Sequence, residues 1–155
     1  MKFSAREDIE APIDFVFEKV TDFQSFERSA LRRGAEVQRV DALPAPGVGM
    51  AWDVMFKLRG KMREIKMEVT SLDPPNGVVL SSRSPSMGGD LVVDLVALSR
   101  ARTRLSVNLT LKPINLSSRL LVQSLKLARN NLTTRYKTRI ADFALELEDR
   151  FARAS

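Results

Sequence analysis

The chain has 155 residues, 44% hydrophobic and 28% charged, with a net charge of +6 at pH 7, a composition that suits one domain with a real apolar core. It has neither cysteine nor histidine, which excludes disulfides, thiolate nucleophiles, Ser-His-Asp triads, histidine bases and every Cys- or His-based metal site. No carboxylate cluster has the spacing of a calcium loop, so the sequence calls for no metal and no cofactor, and any catalysis is left to Asp, Glu, Lys, Arg, Tyr or Ser.

No apolar run approaches the roughly 20 residues a membrane span needs. The opening "MKFSAREDIEAP" carries charge where a signal peptide has its apolar region, so the expected location is the cytoplasm. "MKFSAREDIEA" alternates loosely and predicts a first strand. Pro12 suits a first helical turn. Ile13, Val16, Phe17 and Val20 recur at helical spacing, and Asp22 and Gln24 mark a break. Phe23, Phe26 and Leu31 give a second short helix its apolar side, and Gly34 stops it.

From Ala35 to Lys112 the period becomes two. "AEVQRVDAL" is a strand. "MAWDVMFKLRG" puts Trp52, Val54, Phe56 and Leu58 on one face, and "KMREIKMEVTSL" does the same with Ile65, Met67 and Val69. "DPPNG" is a turn, with Gly77 supplying positive φ. "VVLSSRS" and "DLVVDLVAL" follow, separated by a loop at Ser84–Asp90 that is a hairpin connection or a lid. "TRLSVNLTLK" puts Leu105, Val107, Leu109 and Leu111 on one face. Short strands with tight connections predict an antiparallel meander.

Leu121, Leu125, Ala128, Leu132, Tyr136, Ile140, Phe143 and Leu147 then recur at spacings of three and four. They predict one unbroken helix of about nine turns, capped at Ser117 or Ser118, with an acidic last turn that the helix dipole disfavours. Between Ser117 and Ala141 lie six basic residues (Arg119, Lys126, Arg129, Arg135, Lys137 and Arg139) and no acid. Leu120 and Leu127 widen the apolar arc beside them. That face is a solvated surface, a packing contact, or a contact for an anionic partner.

The order is strand, two short helices, six strands and one long helix. The first strand must join the later sheet, and the long helix must cover the sheet's apolar face. This order, with "APIDFVFEKVTDFQSFE", "GVGMAWDVMF", "SLDPPNGVVL", "RTRLSVNLTL" and the last helix, resembles the START-like or birch-pollen-allergen-like superfamily over nearly the whole chain. That group is also called SRPBCC, or the polyketide cyclase/dehydrase and lipid-transport group. The resemblance implies an α+β helix-grip fold of about seven strands, with lipids, sterols, hydrophobic metabolites or polyketides held between sheet and helix. Some members are cyclases, some are carriers or receptors, and some bacterial members associate with ubiquinone or ribosomes.

The inward faces form a packed core or line a ligand cavity. In the second case the binding residues are Trp52, Val54, Phe56, Ile65, Met67, Val107, Leu125, Leu132, Arg135 and Tyr136. Arg135 or Arg139 would meet an anionic ligand group, or else snorkel to water. Tyr136, the only tyrosine, is a hydrogen-bond donor to a ligand, an acid, or a core residue with a structural partner. No acid–base pair stands out, so no catalytic residue is assigned. The expected function is binding or transport of a small hydrophobic ligand (lipid, isoprenoid or polyketide-like). The alternatives are a cyclase/dehydrase-like enzyme, and an interaction module whose basic helix meets a membrane, RNA or a ribosome. Nucleic acid is disfavoured because no strand is rich in aromatics for base stacking. Monomer and homodimer both stay open.

Overall fold

The alternation of the first residues produces β1 (Lys2–Ile9), and the helical spacing that follows produces α1 (Ile13–Val20) and α2 (Phe23–Arg32). The computed structural model describes residues 1–155. Asp22 caps α2, its carboxylate accepting from the Ser25 amide at 3.3 Å and the Ser25 hydroxyl at 2.7 Å. Gly34, at φ 89°, closes α2 with the Ala35 amide on the Ala30 carbonyl and the Gly34 amide on that of Leu31, the left-handed termination that glycine favours.

Six strands follow: β2 (Glu36–Arg39), β3 (Ala51–Leu58), β4 (Lys61–Asp73), β5 (Gly77–Arg83), β6 (Met87–Ser99) and β7 (Arg102–Pro113). They form one antiparallel sheet in the order β1-β7-β6-β5-β4-β3-β2. The pair α1–α2 carries the chain from one edge of the sheet to the other. β1 pairs with β7, as the isolated first strand required. The outer face is polar and carries ion pairs, among them Arg104–Asp8 at 2.9 Å, Lys112–Asp90 at 2.6 Å and Lys66–Asp53 at 3.5 Å.

Three strand expectations change. β2 is only four residues long, because Asp41 accepts from Arg39 and from the Leu43 and Ala51 amides and turns the chain out of the sheet. Gly88 and Gly89 lie inside β6, paired with Arg83 and Ser82, so the expected Ser84–Asp90 loop shrinks to the tight turn before Met87. Gly77 opens β5 without positive φ. Its role is close approach, since a Cβ there would meet the Val93 carbonyl at 2.7 Å.

The expected single C-terminal helix is two, α3 (Leu116–Leu127) and α4 (Arg129–Ala154), separated at Ala128 with φ −105° and ψ 19°. Helix propensity is low just past the break, where Asn130, Asn131, Thr133 and Thr134 follow one another; inside α4 the Thr134 hydroxyl donates to the Asn130 carbonyl at 2.9 Å. The cap is Asn115, not Ser117 or Ser118. Its side chain accepts from the Ser118 amide at 3.0 Å, while the Ser118 hydroxyl accepts from the Asn115 amide at 3.1 Å. Asn115→Ala is expected to cost about 1 kcal/mol, read by chemical denaturation, with no effect on the sheet's amide exchange. The acidic end of α4 stays helical through Arg150–Glu146 and Arg153–Asp149 pairs one turn apart.

α4 lies along β1. The core gathers at the end of the sheet nearest α1, where Ile9, Val16, Val69, Val78, Leu105 and Leu147 are fully buried. No helix is long and apolar enough to cross a membrane.

Several carboxyls are held below the usual aspartate value: Asp8 by Arg104, Asp22 by the Ser25 hydroxyl, Asp41 by Arg39 and Asp90 by Lys112. A depressed folded value means that the unfolded chain takes up the proton first. The stability these groups contribute is therefore present above the ordinary aspartate pKa of about 3.9 and is lost as pH falls below it. With no histidine, no side chain has its ordinary pKa between about 5 and 8. The expected melting temperature is level from pH 8 to pH 5 and falls below pH 4; a steep loss centred near pH 6 would contradict this.

Candidate functional site: an apolar groove at the open end of the sheet

On β5, β6 and β7 the burial of the large inward side chains falls along the strands, while Val69 and Trp52 on the neighbouring strands stay buried. Across the middle of the sheet, Val78, Val93 and Val107 lie side by side and buried. One rung further from α1, Leu80, Leu91 and Leu109 are half-buried. Beyond them lie Met67, Ser82, Gly89 and Leu111. β4 and β3 continue past this level, because Lys66 already pairs with Arg83, the last residue of β5. Residues 61–65 therefore pair with β3 alone and form a two-stranded ribbon that turns at Arg59 and Gly60, both with positive φ. The ribbon's inner side carries Val54, Phe56, Leu58 and Ile65, all half-buried. α3 packs on β7 and α4, at the opposite side of the sheet from the ribbon. Between the ribbon and the helices the apolar side chains of the inner face are only half-buried, and we take this stretch as the candidate groove.

The ten residues expected to bind a ligand divide along this gradient. Trp52, the cross-strand partner of Met67, is buried against Phe23 with ring centroids 5.4 Å apart, its indole N–H donating to Glu27 at 2.6 Å. Val107 and Leu125 are also buried. Val54, Phe56, Ile65, Met67, Leu132 and Tyr136 are half-buried, and Arg135 is exposed, as is Arg139. Tyr136 stacks obliquely on Phe3 at 5.6 Å and donates its hydroxyl proton to the Val107 carbonyl at 2.7 Å. Burial pushes that hydroxyl up to about 12, so it holds its proton at neutral pH.

Two polar groups of the groove were not among the expected residues. Arg63 sits opposite Phe56, on the same face as Ile65 and Met67. It is half-buried, donates through Nε to the Leu58 carbonyl at 3.2 Å and makes no ion pair, which leaves the two terminal nitrogens of its guanidinium without a carboxylate. The alternation of "KMREIKMEV" places it there, two residues before Ile65 on the same face. Ser82 faces the groove over Gly89, where a Cβ would meet the Ser82 hydroxyl at 2.9 Å. The missing side chain at Gly89 leaves the hydroxyl its room.

Two surface depressions lie elsewhere. One, of about 410 Å³, wraps the free edge of β1 beside Glu7, Asn108 and Lys137; the other, of about 350 Å³, lies among Glu64, Lys66, Arg83 and Pro85. Both are lined almost wholly by polar and charged residues, and neither takes in the apolar side chains of Val54, Phe56, Ile65 or Met67.

No protein-family model matches the chain, and no curated protein sequence matches it. Solved structures do. A protein of Thermus thermophilus superposes with a TM-score of 0.66 at 18% identity, covering 100% of this chain and 99% of its own. The Zhui aromatase/cyclase of a Streptomyces species gives 0.65 at 14% identity, over 97% and 94%. A START superfamily protein of Mycobacterium smegmatis gives 0.57 at 12% identity, over 86% and 95%. At these identities the likeness is one of fold. The chain has the START-like helix-grip fold that its sequence resembles.

Proposed function

We propose that the chain binds or carries a small hydrophobic molecule (a lipid, isoprenoid or polyketide-like compound) in the groove between the sheet and the C-terminal helices. The observation that supports this most is the row of apolar side chains from Leu80 and Leu91 through Met67 to Ile65 and Phe56 that stay only half-buried in the free chain. Closing a ligand over that surface contributes roughly 25 cal/mol per Å² of apolar area before ordering costs. Val107 forms the closed end, Trp52 the floor beside Met67, and Leu125, Leu132 and Tyr136 the helical wall. Arg63 and Ser82 orient a polar head, with Arg135 at the rim. The likeness of fold to an aromatase/cyclase and to a START superfamily protein is in keeping with a ligand of this class. Binding is favoured over turnover because the Tyr136 proton is committed to a backbone carbonyl.

Native mass spectrometry of the purified chain, followed by organic extraction, tests the reading. The expected result is a defined hydrophobic mass, retained from the host or taken up from a lipid extract. A chain that stays empty after that exposure would refute it.

A further inference from the structure

α3 carries a second apolar surface that the fold does not use. Its inner side is spent, with Ser118, Val122 and Leu125 buried. Its outer side presents Leu116, Leu120 and Leu127, which fall on one face at 3.6 residues per turn. They are 72%, 61% and 92% exposed, and Ile114, just before the helix, is 58% exposed. The expectation that Leu120 and Leu127 pack against a neighbouring element is not met. An isolated exposed leucine is ordinary; a run of them along one helix marks a contact surface.

The charge beside this stripe identifies the contact. Arg119 and Lys126 flank the leucines, and Arg129, Arg135, Lys137 and Arg139 continue along α4. All six are exposed and none makes an ion pair within the chain, although nine other basic residues do. No acidic residue lies between Ser117 and Ala141 to neutralise them.

We propose that the outer face of α3 docks on an anionic lipid bilayer, its leucines entering the boundary between headgroups and acyl chains while Arg119, Lys126 and Arg129 reach lipid phosphates. A bilayer meets both demands at once: it accepts apolar side chains to a shallow depth, and it offers diffuse negative charge to cations spread along two helices. A second copy of the chain would cover the leucines only by bringing like charges together. A nucleic acid would satisfy the cations and leave the leucines in water. Long basic side chains flanking an apolar stripe keep their stems on apolar surface and their heads in the polar layer. α3 borders the open end of the groove, so docking turns the groove's mouth toward the membrane. The proposal does not depend on the groove holding a ligand.

The test is co-flotation of the full chain with vesicles of phosphatidylcholine alone or of equimolar phosphatidylcholine and phosphatidylglycerol, at low and high salt. Binding to the anionic vesicles is expected, weakening as salt rises. Lys126→Gln is expected to weaken it about five-fold, and Leu120→Asp with Leu127→Asp by about ten-fold or more. Both leucines are solvent-facing, so circular dichroism should show the double variant folded. No flotation of the wild-type chain at low salt would overturn the proposal, as would flotation unchanged by the leucine replacements. A wild-type dimer in sedimentation that the leucine variant abolishes would also overturn it, in favour of a second copy.

Discussion

Leu147→Ala is expected to lower the free energy of unfolding by about 2–5 kcal/mol, among the largest losses any single truncation here should produce. Leu147 is 1% exposed and lies in the cluster with Ile9, Val16, Val20 and Leu105. It pins the C-terminal half of α4 to α1 and the sheet, beside Phe15 and Phe151, whose rings meet edge to face at 5.1 Å. The Glu148 carboxylate accepts from the Glu10 amide at 3.0 Å at the same corner, so the backbone there has little freedom to collapse into the void. The loss exceeds simple transfer because a cavity remains. Leu127→Ala, on the same pair of helices, should stay within about 0.5 kcal/mol. Urea denaturation of both variants checks the pair. A loss under 1 kcal/mol for Leu147→Ala would mean that α4 is not held where the fold places it.

Met67→Trp is expected to weaken the binding of a hydrophobic ligand at least about ten-fold while leaving stability level or slightly raised. Met67 is half-buried, paired with Trp52 on one side and Ser82 on the other, in the middle of the groove. An indole there takes up space that a ligand would occupy, and it buries further apolar area on the groove floor. In a fully packed interior the same change would overpack and destabilise by about 1–3 kcal/mol. The sign of the stability change therefore separates an open groove from a packed core, whichever ligand is used. Isothermal titration with oleate and thermal melts of the free variant give the two readings. A destabilised variant, or an unchanged affinity, would contradict the groove.

The sequence carried the fold because its periods were clean. The two-residue alternation of Trp52, Val54 and Phe56 against Ile65, Met67 and Val69 was enough to place an apolar face, and β3 and β4 pair in that register. It carried the C-terminal helices less well. No proline or glycine marks the interruption at Ala128, and the apolar spacing of three and four runs straight through it into a stretch of Asn and Thr with low helix propensity. The candidate site was legible as a face and not as a depth. Parity assigns Trp52, Val54 and Phe56 to the same side, but only the stagger of strand ends decides that Trp52 is covered by α2 while Phe56 projects beyond β5. Arg135 and Arg139, beside the helix's apolar stripe, had the choice of a ligand's anionic group or water, and both are exposed on α4, which runs along β1.

The measurement that bears most directly on the groove is methyl-resolved NMR during titration with oleate. Saturable shifts are predicted at Val54, Ile65, Met67, Leu80 and Leu91, with Val16, Val69, Leu105 and Leu147 unmoved. Shifts confined to the leucines of α3, or no saturable shifts at all, would contradict a ligand groove at the open end of the sheet.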